Sequence, residues 1–131
     1  MEHQTESAET ADSFQSRVSA WTAACFGDGE ENGLSIRIHR FFEEATELAQ
    51  SLGCSKSEVL QLVEYVYARP TGEPMQEVGG VMVTLAALCH AANLAMADCG
   101  ERELTRVWDN CDRVRIKQAG KPRFSPLPTA G

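Results

Sequence analysis

Glu43-Glu44-Ala45-Thr46-Glu47 is the stretch whose residue types and spacing are best suited to chemistry. At about 100° per residue on a helix, its three carboxylates fall within an arc of roughly 100° and point into one space. Hard divalent cations take such oxygen ligands, and Mg²⁺ in phosphate chemistry shares its shell among carboxylates, waters and substrate phosphates. A solvated acidic face gives the same pattern, because the apolar stripe through Leu34, Phe41 and Leu52 lies on roughly the opposite side of the helix. A second acid favours the metal reading. Glu77 opens the least polar helical stretch of the chain, at the shoulder of a stripe made by Val81, Leu85, Leu88 and Ala92. A charge bordering a buried surface needs a compensating cation or donor, and an Arg serves as well as a metal. If the two acid-bearing helices pack side by side, Glu77 faces the trio, and such a cluster repels itself without metal.

Other side chains carry a functional and a plainer reading together. Arg37 and Arg40 share the helix of the acids, where each can grip a phosphate or pair with Glu44 or a neighbour at surface spacing. Trp21 can stack on a base, although a Trp at helical spacing is more often core. Asn110, Arg113 and Lys117 follow one face of the last helix and read equally as solvated surface. His39 and His90 have no second histidine at ligand spacing and read as structural. No Ser-His-Asp arrangement, Walker-type Gly-rich loop or Cys-His pair stands out, so covalent and P-loop mechanisms lack a motif.

Helices must position these groups. Phe14, Val18, Trp21, Ala24 and Cys25 predict a first helix over 12–26, closed by Gly27-Asp28-Gly29. Leu34, Ile38, Phe41, Ala45, Leu48 and Leu52 recur at steps of three and four, predicting a second helix over 34–52 that stops at Gly53. Ser55 and Glu58 form a capping-box pattern for a third over 56–68. Arg69-Pro70-Thr71-Gly72 forces a turn, and Pro74 suits the first position of a fourth helix lasting to about residue 92. Asn93 marks a break, and a last helix follows over 96–118. Residues 1–9 read as a flexible start and 120–131, with three prolines, as an extended tail. Alternating polarity with hairpin signals is missing, and there is no repeat at solenoid periods. The expected fold is all-α, a compact four- to five-helix bundle over 10–119.

Composition narrows the partners. A chain of 131 residues with 43% hydrophobic and 24% charged residues is one globular domain by size and content. Its net charge of −7 disfavours a nucleic-acid polymer, while a small polyanion carried by divalent cations is compatible. The span 78–97 carries no full charge with His90 neutral, yet Gly79, Gly80, Thr84, His90 and Asn93 dilute it. It reads as a helix buried in a bundle rather than a membrane span. Met1-Glu2-His3-Gln4-Thr5-Glu6 lacks the basic-then-apolar order of a secretory signal. Cys25, Cys54, Cys89, Cys99 and Cys111 are odd in number and contain no Cys-x-x-Cys, so reduced thiols in a cytoplasmic protein are expected.

Glu43-Glu44-Ala45-Thr46-Glu47 followed by Glu77-Val78-Gly79-Gly80-Val81 resembles the MazG-like all-α nucleoside triphosphate pyrophosphatases, whose pattern is Glu-Glu-x-x-Glu and then Glu-x-x-Asp. The likeness takes in Arg40-Phe41 and the helix after Asn93, covering roughly residues 14–119. Trp21, Cys25-Phe26-Gly27 and Arg69-Pro70-Thr71-Gly72-Glu73-Pro74 are similar to a bacterial and phage subgroup. The resemblance implies hydrolysis of (d)NTP to (d)NMP and pyrophosphate with Mg²⁺ or Mn²⁺, in a homodimer or homotetramer engaged in nucleotide-pool control. It leans to dGTP or GTP, the guanine nucleotides on which phage members act. By motif position Glu44, Glu47 and Glu77 become metal ligands, with Glu43 a further ligand or the group that orients water; Glu43 and Glu44 are thus the implied catalytic acids. The implied substrate contacts are Trp21, Arg40, Asn110 and Lys117. Gly80 departs from the pattern, standing where the family has Asp. Asp98 and Asp112 are the acids that remain to substitute. Loss of that ligand leaves an alternative reading, a non-catalytic nucleotide-sensing or structural module.

Overall fold

The structure, a computed structural model, describes residues 13–121. The expected flexible start and most of the expected tail lie outside the described residues. Six α-helices occupy them, with no strand: α1 (Phe14–Phe26), α2 (Leu34–Ser51), α3 (Lys56–Tyr67), α4 (Pro74–Ala91), α5 (Met96–Asp109) and α6 (Cys111–Ala119). The all-α class holds, with one helix more than expected.

Local chemistry sets the helix ends. Ser13 Oγ accepts from the Ser16 amide at 3.0 Å and starts α1. Gly27, at φ 74, closes it. After α2, Gly53 at φ 98 donates to the Gln50 carbonyl and Cys54 to that of Ala49, both at 3.0 Å. This is a Schellman closure, which needs a residue that tolerates the left-handed region. Asn93, at φ 60, ends α4 in the same way, with Leu94 donating to Cys89 at 2.8 Å. Both halves of the expected capping box begin α3: Ser55 accepts from the Glu58 amide and Glu58 from the Ser55 amide. Pro74 stands in the first turn of α4 as expected.

Two boundaries differ from the sequence reading. A 3-10 turn at Glu30–Asn32 fills the expected loop. The single last helix expected over 96–118 is two helices, because Asn110 leaves helical geometry at φ −125, ψ 35 and its side-chain amide donates to the Arg106 carbonyl at 2.8 Å. That bond offers the backbone an alternative to continuing α5.

The described residues divide into two compact units, one made of residues 13–39 with 100–121, the other of Arg40–Cys99. In the first, α1 packs on α6 and on the 3-10 turn. Cys25, Ile36, Leu104 and Val107 are buried there. A disulfide joins Cys25 at the end of α1 to Cys111 at the start of α6, with Cα atoms 5.6 Å apart. The expectation of reduced thiols is therefore not met at these two positions. Trp21 donates its indole N–H to the Val107 carbonyl at 3.2 Å and meets Phe26 edge-on. Buried Gln118 donates to the Glu31 carbonyl at 2.8 Å and accepts from Arg37 at 2.9 Å, while Arg37 lies over the Phe26 ring. Arg17 holds Glu101 through two bonds of 2.8 and 2.6 Å. Gly100 lets Phe14 approach closely, since a Cβ there would stand 3.1 Å from its ring.

In the second unit Cys89 is the buried apolar residue. Val78, Met82 and Val83 of α4 are 60%, 61% and 69% exposed, as are Leu60, Leu62 and Tyr65 of α3 by more than half. Within this unit α4 is not buried along these positions. Among the described residues no single helix is long and apolar enough to cross a membrane.

Candidate functional site

The acidic motif lies in the middle of α2, which is long enough to carry Arg40, Glu43, Glu44 and Glu47 over successive turns. Arg40 Nη1 approaches Glu43 Oε1 at 3.3 Å, an i,i+3 pair whose two facing atoms are shielded from solvent. Glu44 and Glu47 are exposed, and Thr46 between them turns its hydroxyl back to the Phe42 carbonyl at 2.7 Å. The motif therefore presents two accessible carboxylates and one held by a guanidinium.

Glu77 lies in the first turn of α4, where the helix N-terminus favours negative charge. Its side chain folds over the preceding turn. A Cβ on Gly72 would overlap the Glu77 carboxylate and stand 3.0 Å from its Cδ, so the absence of a side chain at 72 makes the seat on which Glu77 rests. The sequence reading placed Glu77 beside a buried surface; in the structure it is exposed, because α4 itself is exposed here. Within the second unit α2 and α4 do not pack along one another, so the side-by-side arrangement that would bring Glu77 to the trio is not made in the protomer. Among the described residues no three His, Cys, Asp or Glu side chains form a group that would hold a metal ion.

Gly80 is open: a Cβ there would meet nothing within 4 Å, and Thr84 donates its hydroxyl to the Gly80 carbonyl at 2.8 Å. Of the acids left to substitute, Asp112 is paired with Arg115 at 2.8 Å, and Asp98 lies exposed in the first turn of α5. Trp21, Asn110 and Lys117 belong to the first unit. Trp21 and Asn110 use their N–H groups on backbone carbonyls, and Lys117 is exposed, near enough to Glu103 to help lower its pKa. The larger cause of that lowering is Arg106, hydrogen-bonded to Glu103, opposed by partial burial.

Gly72 as a seat for Glu77 is the positioning feature that motif reading missed; its signal is a Pro-Thr-Gly turn set just before a helix with an acid in its first turn. A groove of about 820 Å³ runs along α3, lined by Lys56, Leu60, Gln61, Glu64 and Tyr65, and none of the motif acids lines it. Comparison with protein-family models, with curated proteins and with solved structures finds no match to this chain.

Proposed function

We propose that the chain is a metal-dependent nucleoside triphosphate pyrophosphohydrolase of the MazG-like kind, releasing pyrophosphate from a (d)NTP, with dGTP or GTP preferred. The observation that carries this reading is the pair of exposed carboxylates, Glu44 and Glu47, one helical turn apart on α2 beside Glu43 held by Arg40. An all-oxygen donor set of this kind suits Mg²⁺ or Mn²⁺ and not the softer metals that thiolates select. Glu44 and Glu47 are assigned as the residues that would hold the cation, with Glu77 joining them only where assembly brings an α4 to an α2. When bound, the cation neutralises phosphate oxygens at the cleaved anhydride.

The remaining work falls to the chain. Arg40 fixes the Glu43 carboxylate, which we assign to orient the water that attacks the α-phosphorus as pyrophosphate leaves. Fixing that acceptor in advance lowers the entropic cost of reaching the reactive geometry. The same reading makes the protein a homodimer or homotetramer, supported by the apolar faces of α3 and α4 that the chain leaves exposed. Incubation with each dNTP and with GTP, in Mg²⁺ or Mn²⁺, tests it. Pyrophosphate and the monophosphate are expected, fastest from a guanine nucleotide. Metal-dependent nucleotide binding with no product would replace the enzyme by a sensor, and absence of both would leave a structural module.

A further inference from the structure

We propose that Cys25 and Cys111 form a reversible thiol–disulfide latch that fastens α6 to the C-terminal end of α1, with Cys111 as the sulfur that exchanges with a small dithiol. Three observations carry it. Cys25 is 2% exposed and Cys111 is the more exposed residue of the two, so Cys111 is assigned as the one that an incoming thiolate attacks. Arg115, one turn along α6, places Nη2 3.6 Å from Cys111 Sγ. A cation at that distance favours the thiolate form, in which a cysteine leaves or attacks. Arg115 also donates from Nε to the Cys25 carbonyl at 2.9 Å and pairs with Asp112, so its guanidinium is held at the junction from both helices. The reduced state is provided for as well: Cys25 Sγ lies 3.2 Å from the Cys111 carbonyl oxygen, an acceptor for the thiol.

The exchange balances with a dithiol as the reductant. Its thiolate attacks Cys111 Sγ, the bond between the two cysteines breaks, and Cys25 leaves with the electron pair and takes a proton from water. The second thiol of the reductant, as its thiolate, then attacks the reductant sulfur of the mixed disulfide. Cys111 leaves as a thiolate beside Arg115, and the reductant becomes a cyclic disulfide. Two electrons have passed to the protein, Cys25 has gained one proton, and Cys111 remains a thiolate beside Arg115 while the reductant's protons are released to water. Reduction removes the covalent tie and leaves the Arg115 and Gln118 bonds, so α6 loosens without detaching.

The full chain, equilibrated in mixtures of reduced and oxidised dithiothreitol, is the material for the test. Peptide mapping should show Cys25 linked to Cys111 at the oxidising end and free at the other, reversibly, with helical circular dichroism unchanged. Hydrogen exchange over residues 111–119 should rise several-fold on reduction, and Cys111→Ser should show the loosened pattern in both buffers. In the reduced protein Cys111 should react with iodoacetamide several-fold faster than exposed Cys99, and Arg115→Gln should remove that excess while Cys99 is unaffected. A Cys25–Cys111 link that forms only in unfolded protein would overturn the proposal. So would a Cys111 labelling rate no greater than that of Cys99, or one indifferent to Arg115→Gln.

Discussion

Glu44→Gln and Glu47→Gln keep the shape of each side chain and remove its charge, so both should abolish Mg²⁺- or Mn²⁺-dependent pyrophosphate release while circular dichroism stays unchanged. Wild-type turnover in both would refute their assignment as ligands. Gly80→Asp bears on the departure from the motif. The open space at Gly80 means that a side chain there displaces nothing in the protomer, and Asp is the better helix former by about 0.3 kcal/mol. A melting temperature at or slightly above that of the parent is expected, with tighter Mn²⁺ binding in a titration if the position faces the acids. Unchanged affinity with a large loss of stability would make this glycine a packing residue between copies. The acidic trio was legible because its spacing depends only on the local helix period. The Arg40–Glu43 pair was half legible, since three and four residues are both within reach on a helix. The surroundings of Glu77 were not legible: the stripe below it is apolar, but apolarity says nothing of what covers it.

Helix beginnings and ends were readable wherever one residue type has one strong conformational use. The Ser55–Glu58 box, Pro74 and Gly53 all act as their chemistry dictates. Asn110 was not readable, because an Asn is as compatible with a helix surface as with a break until its side chain takes the Arg106 carbonyl. Ser55→Ala should cost α3 about 1 kcal/mol, measured by chemical denaturation. The hydrogen bond from the Ser55 amide holds the Glu58 carboxyl below its ordinary pKa, with the Ser55 hydroxyl adding to it and slight desolvation opposing. A depressed folded value means that this contribution is present above the unfolded pKa and lost as pH falls through the folded one. Carboxyl NMR should therefore find the Glu58 midpoint below the ordinary glutamate range, and Ser55→Ala, which keeps the amide bond and removes only the hydroxyl, should move it part of the way back up. Elsewhere, Gln118→Leu removes the bonds that Gln118 makes to the Glu31 carbonyl and to Arg37, while Arg37 keeps its own 3.1 Å bond to that carbonyl. About 1 kcal/mol of stability should be lost, whereas Lys117→Ala on the exposed side should lose little.

At the scale of the whole molecule, the all-α class followed from helical periodicity, but the exposure of the apolar residues of α3 and α4 did not, because apolarity in a sequence does not say what lies against a face. Sedimentation at micromolar concentration should give a dimer or tetramer, and the melting temperature should rise with protein concentration. Met82→Glu, a charge placed on a face that is open in the protomer, should shift the mass toward monomer with α-helical content retained near that of the parent. A monomeric wild type would contradict the assembly. The disulfide was illegible for a related reason: 86 residues separate its cysteines, and an odd total of five hides any pairing. The two Schellman closures carry a consequence of their own. The helices α2 and α4 are each 18 residues long, and Leu34 and Pro74, Ser51 and Ala91, and Gly53 and Asn93 stand at one common offset along the chain. After each closure two residues intervene before the next helix begins, at Lys56 and at Met96. The backbone thus states the same phrase twice, a long helix, a left-handed stop and a new helix, in side chains too different for the sequence to show it. The two frames carry different side chains at matching turns: α2 has its acids where α4 has Val83, Thr84 and Ala87. Asn93→Gly should then be as well tolerated as the glycine already serving at 53, with thermal melting unchanged or slightly raised.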